Sequence, residues 1–244
     1  MATAGAIGES DGMRTLQAML LLAVLATSAC QAPAPEPTGL QTFGSMREVM
    51  RNGQMDGRVA LREFVGRQTI GVGALANLTG EITMLDGEVL VSTVQDGVAV
   101  VRLARPDDQA TLLVAKDVAE WHKFEIGTCP SYAALEQRIA QLLRARGRDL
   151  TKPTPVRITG DANRLQVHVI NGACPIARPD GPKPWRYDGP ADNVKLVGFY
   201  VEDAAGQLTH HNHSSHLHAV SDQAMGHLDE VSLTHAIVSL PAEH

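Results

Sequence analysis

Two Asp-Gly pairs, Asp86-Gly87 and Asp96-Gly97, interrupt the stretch "GEITMLDGEVLVSTVQDGVAVVRL" and divide it into runs in which apolar and polar residues alternate. Asp-Gly suits the two central positions of a type I′ turn, which require positive φ and whose twist matches the flanking strands. Period-two alternation sends successive side chains to opposite faces, so the stretch reads as an antiparallel meander and presents no helical apolar stripe. Other short β-rich runs, "VALREFV" and "TIGVGAL", precede it, and "PVRITG", "RLQVHVING" and "VKLVGFYVED" follow, the last two separated by the Pro-rich "ARPDGPKPW". The body is therefore predicted to be mostly β.

Helix signals are confined to two places. In "LQTFGSMREVMRNGQ", Phe43, Met46, Val49 and Met50 fall at helical spacing and Gly53 offers a stop. In "SYAALEQRIAQLLRARG", Ser131 can cap the start, Leu135, Ile139, Leu142 and Leu143 share a face, and Gly147 ends the segment. No internal repeat of fixed period is present.

Residues 1–30 do not read as part of that body. Met13-Arg14 opens a positive segment followed by "AMLLLAVLA", too short to span a bilayer as a mature helix but shaped like a secretory apolar region. "TSAC" then leads into Cys30 and resembles the lipobox of bacterial lipoproteins, with Thr27 where leucine is usual. The alternative is a disordered tail carrying a chance apolar run. Residues 31–39, "QAPAPEPTG", suit a Pro-rich tether between an anchor and a folded domain at 40–244. The expectation is an exported lipoprotein of the periplasm or cell envelope, held at the membrane by a lipid on Cys30, its signal starting at Met13. Cys129 and Cys174 either pair in an oxidising compartment or stand as separate buried thiols. The formal net charge of −6 argues against a nucleic-acid surface.

Six of the ten histidines lie between His210 and His227. If "HSSHLHAV" is a strand, His216 and His218 point to one face about 7 Å apart. After a turn through "SDQAM", the returning "GHLDEVSL" can bring His227 beside them. Three neutral imidazoles with an open fourth position form the donor set of a catalytic zinc, and Mn²⁺, Co²⁺, Ni²⁺ or Fe²⁺ would also suit it. Asp229 is placed to support a ligand imidazole. His210, His211 and His213 read as a solvated loop, the alternative being a second metal site.

These residues also carry a resemblance. "GQMDGRVALREFVGRQTIGVGALANLTGEITMLDG", "NVKLVGFYVED" and "HLHAVSDQAMGHLDEV" together resemble the α-acetolactate decarboxylase family over nearly the whole chain from Leu40. The resemblance implies a mixed, β-rich α/β fold of two packed β-sheet subdomains, with a few flanking helices and a metal site on a β-hairpin. It implies His216, His218 and His227 as ligands of a divalent metal, zinc being the expected ion. Glu81 is implied as a catalytic carboxylate, and His168 stands where the family has its catalytic arginine. Other departures are a shorter stretch between the second and third histidines, a single Gly226 in place of a glycine pair, and a sequence that ends at His244, before the family's second active-site glutamate.

The implied activity is decarboxylation of 2-acetolactate, or a related 2-hydroxy-3-keto acid, to acetoin. The metal would stabilise the enediolate as a Lewis acid, and Glu81 would aid proton transfer. Two alternatives are a non-catalytic exported metal-binding lipoprotein on the same fold and a metal-dependent hydrolase. The hydrolase has less support because "HExxH" is absent. Partners are then a small-molecule substrate and the membrane, with no nucleic acid; a homodimer is left open.

Overall fold

The computed structural model describes residues 39–173, 180–204 and 213–242. The predicted leader with Cys30, the tether up to residue 38, Cys174 and the loop histidines His210 and His211 lie outside them. Among the described residues no helix is long and apolar enough to cross a membrane.

Strand β1 (Gln41–Phe43) leads into helix α1 (Met46–Asn52). The apolar spacing from Phe43 onward suggested one helix, but Gly44 at φ 68° breaks it from the strand. Ser45 then caps α1 by accepting from the Glu48 N–H, and Phe43 instead packs edge-on against Phe64. Gly53, in the left-handed region, ends α1 as expected. The strand expected at "VALREFV" is only β2 (Val59–Ala60), because residues 61–63 tighten into a 3-10 turn that delivers Leu61 and Phe64 to the core.

The meander follows as β3 (Thr69–Leu75), β4 (Gly80–Leu85), β5 (Glu88–Gln95) and β6 (Val98–Leu103). Asp86 and Gly87 have φ of 53° and 81°, and Asp96 and Gly97 have 50° and 80°, the positive pair that a type I′ turn demands. Strand β7 (Gln109–Asp117) completes a first sheet of order β1-β7-β3-β4-β5-β6, with β2 also on β7. Every pairing in it is antiparallel.

The second sheet contains β8 (Trp121–Cys129), β9 (Thr154–Val169), β10 (Trp185–Tyr200), β11 (Ser215–Val220) and β12 (Met225–Pro241). "PVRITG" and "RLQVHVING" are halves of the single strand β9, carried past Gly160 by irregular registers with both neighbours. Such bulges let a long strand bend. The order is β11-β10-β9-β12-β8, and β11 pairs with β12 as well, so β9 to β12 close into a ring.

Alternation decides what each face meets. Leu165, Val167, Leu217 and Leu228 belong to the core of the second sheet. Helix α2 (Tyr132–Ala145) joins that core with Leu135, Ile139 and Leu143, while Leu142 is only partly buried. Each such fully buried side chain is worth roughly 1.5–3 kcal/mol. Ser131 caps α2 by accepting from the Ala134 N–H. Cys129, a free thiol, lies in the same core. On β4, Ile82 and Met84 enter the first sheet's own core, whereas Leu85 joins Ile70 and Val72 against Val197 and Phe199 of β10. Glu81 and Thr83 share Leu85's face by strand period and are thereby aimed at the second sheet.

Candidate metal centre

The β11–β12 connection folds as the histidine spacing predicts. His218 is directly opposite His227 in register, and His216 lies two residues earlier on the same face. The three rings approach one another with centroids 5.0 to 5.5 Å apart, and one ligand atom from each lies within 4.8 Å of the others. His218 is fully buried and His227 nearly so. Two glycines make this closeness feasible. A Cβ on Gly226 would stand 2.3 Å from the His168 carbonyl oxygen, and one on Gly198 would stand 1.9 Å from that of His216. Gly198 also has φ of 153°, a conformation that side chains disfavour.

The first sheet closes the site from the other side. Thr83 Oγ1 is 3.1 Å from His218 Nδ1, which fixes the ring and directs Nε2 elsewhere. Glu81 Oε2 lies 3.7 Å from that Nε2, and its Oε1 accepts a hydrogen bond from the Ile170 N–H. Glu81 is 4 % exposed, so it is not a solvent-facing strand carboxylate. Burial raises its pKa to about 7, against the opposing pull of His168 and the Ile170 N–H.

His168 pairs with His227 in register across β9 and β12, their ring centroids 4.9 Å apart. Burial lowers its pKa, but the hydrogen bond that His168 makes to Asp229 and the charges of Glu81 and Asp229 outweigh this and leave it raised. Asp229, expected to support a ligand imidazole, places Oδ1 2.7 Å from His168 Nδ1 and Oδ2 2.7 Å from Arg186 Nη1. The register irregularity between Leu228 and Glu230 falls at this residue. His213 is not part of the centre: it stacks on Tyr132 and lies 3.5 Å from Glu136.

The donor set fits a divalent ion. Three imidazoles converge, no described cysteine lies among them, and the ring held by Thr83 is fixed before any ion arrives. Closed structural zinc sites favour cysteine, whereas three histidines leave a coordination position for substrate or water.

A family model described as "Alpha-acetolactate decarboxylase" matches residues 42–242. The chain belongs to the alpha-acetolactate decarboxylase family. The fold agrees with that of solved family structures. An alpha-acetolactate decarboxylase from Bacillus subtilis strain 168 superimposes with a TM-score of 0.66 at 18 % identity, over 85 % of this chain and 86 % of that one. A Staphylococcus aureus protein of unknown function similar to alpha-acetolactate decarboxylase gives 0.66 at 15 % identity, over 82 % and 84 %. No curated protein sequence matches significantly. Membership is thus carried by the family's positional pattern, and the expected β-rich fold of two packed sheets with few helices is the fold observed.

Within this family member, the structure brings Glu81, His168, His216, His218 and His227 to one place. Sequence reasoning missed Thr83 and Arg186. Thr83 had a signal, since it follows Glu81 by two residues on the same strand face. Arg186 had none, because its position depends on pairing across the Pro-rich connection.

Proposed function

We propose that this protein is a metal-dependent carboxy-lyase that converts 2-acetolactate, or a related 2-hydroxy-3-keto acid, to acetoin or its homologue. The observation that carries the reading is the convergence of three imidazoles with a buried carboxyl group, Glu81, in a chain of this family. His216, His218 and His227 would hold the ion, for which zinc is the best match to a three-nitrogen donor set. When bound, the ion supplies Lewis-acid stabilisation of the negative charge that builds on the substrate's oxygens.

The reaction breaks the bond between the hydroxyl-bearing carbon and the carboxylate. Carbon dioxide leaves, the bonding electron pair is accepted by the adjacent ketone, and one proton is then delivered to carbon. Glu81 is placed to hold that proton: it is enclosed between the sheets and anchored through Oε1 by the Ile170 N–H. Thr83 holds His218 in its ligating orientation, and His168 packs beside His227. The buried rings and apolar contacts of Val197 and Phe199 exclude water, which strengthens electrostatic interactions inside.

Acetoin release from 2-acetolactate by metal-replete protein tests the reading. His216→Ala/His218→Ala should lose both tight metal and activity, since one imidazole cannot retain the ion. A fully metallated wild type that forms no acetoin would give the site to the alternative, a non-catalytic metal-binding module. We also place the protein at the cell envelope through a lipid on Cys30, a reading supported by the sequence alone: the apolar run "AMLLLAVLA" after Met13-Arg14, "TSAC" and the Pro-rich tether. Cys30→Ser should move the protein from the membrane fraction to the soluble fraction, and unchanged partitioning would dismiss the anchor.

A further inference from the structure

Four residues on four neighbouring strands stand in one row. His218 of β11 is opposite His227 of β12, His227 is opposite His168 of β9, and His168 is opposite Arg186 of β10. Residues directly paired in antiparallel strands project to the same face, so the row runs from the metal ligands to a guanidinium. Hydrogen bonds continue the row at its open end. Asp229 joins His168 Nδ1 through one oxygen and Arg186 Nη1 through the other, each at 2.7 Å.

The other arginines of this region are committed elsewhere. Arg157 pairs with Asp86 at the tip of the β4–β5 turn, and Arg164 forms a two-point contact with Asp188. Arg186 differs in the use of its fork: Asp229 engages one nitrogen of it, and the side chain is 60 % exposed. A guanidinium has five N–H donors in a plane, enough to grip a carboxylate at two points while keeping the bond to Asp229.

We propose that Arg186 binds the carboxylate of the substrate, with Asp229 as the residue that positions its guanidinium toward the histidine centre. This rests on the decarboxylase reading for the identity of the substrate, a 2-hydroxy acid. The cation is supplied from β10, one strand further from the ligands than β9, and His168 occupies the intervening place in the row. A side chain as long as arginine can span an interstrand step of about 4.8 Å, whereas an imidazole has neither the reach nor the fork.

The test uses the intact, metal-loaded protein and two unreactive probes measured by calorimetry. 2-Hydroxyisobutyrate carries the hydroxyl and carboxylate, and acetoin carries the hydroxyl and ketone without charge. Arg186→Gln should weaken 2-hydroxyisobutyrate about tenfold or more, the loss of a charge-assisted two-point contact, with acetoin binding and metal content unchanged. Arg186→Lys should fall between, keeping the charge but not the fork. Asp229→Asn should reproduce the selective loss, because it frees the guanidinium without removing it. An Arg186→Gln protein with wild-type affinity for 2-hydroxyisobutyrate, or with equal losses for both probes, overturns the assignment. So does a wild type that fails to bind 2-hydroxyisobutyrate. A selective loss in a protein whose wild type releases no acetoin would leave Arg186 as the carboxylate-binding residue and remove the decarboxylase reading instead.

Discussion

Glu81 is a residue whose environment changes its chemistry. On an exposed strand it would be an ordinary ionised carboxylate. Enclosed between two sheets, it loses hydration that its charged form needs, and its pKa rises to about 7. Glu81→Gln preserves volume and can keep the contact with the Ile170 N–H, but it cannot transfer a proton. The substitution should slow acetoin formation by about 100- to 10,000-fold, the usual worth of a positioned acid or base. Metal content should stay at the wild-type level, since the carboxylate is outside the imidazole donor set. Loss of metal together with activity would make Glu81 a ligand and remove its assigned role.

Among the elements, β12 carries a tight constraint at its start, because His227 pairs with β11 on one edge and with β9 on the other. Gly226 makes that double pairing possible beside His227. Its Cβ position is 2.3 Å from a backbone carbonyl, and backbone in a ladder cannot move aside as a side chain could. Gly226→Ala should destabilise the fold by about 1–3 kcal/mol, the usual cost of overpacking, and should weaken metal binding by shifting His227. Thermal unfolding with metal analysis reads both effects. Wild-type stability and metal retention together would show slack between β9 and β12 that the site does not need.

At the scale of the whole molecule, the β4–β5 turn is clasped to the second sheet. Asp86 accepts from Arg157 of β9 and from Lys195 of β10. Partial burial pushes the Asp86 pKa up, but the bonds and charges of Lys195 and Arg157 outweigh it and hold the group below its ordinary value. A carboxylate depressed in the folded state contributes stability above its unfolded pKa, and that contribution is lost as pH falls through the folded one. Asp86 is 41 % exposed, so screening limits the clasp to about 0.2–1 kcal/mol. Asp86→Asn retains a residue that tolerates the turn's positive φ and removes only the charge. Urea unfolding at neutral pH should show that small loss at low salt, and the difference from wild type should shrink at high salt or in acid. A salt-independent difference would assign the effect to the turn and not to the clasp.

Much of this protein was legible because local chemistry determines local shape. Asp-Gly at residues 86–87 and 96–97 specifies type I′ turns wherever it stands between alternating runs, and Ser131 to Gly147 specifies a capped helix. The spacing of His216, His218 and His227 placed three imidazoles on one face of a hairpin, and the family resemblance marked Glu81 and His168. Where a local pattern met a competing constraint, the reading shifted: Gly44 separated Phe43 from its helix, and two predicted strands fused into β9. Only the tertiary structure decided the surroundings of the histidines. Thr83 reaches His218 because two sheets pack face to face, and Arg186 joins the row because β10 pairs with β9 in one register. Those contacts link residues far apart in the chain, and no periodicity or turn signal encodes the register of a long-range pairing; it is selected by the burial of both sheets at once.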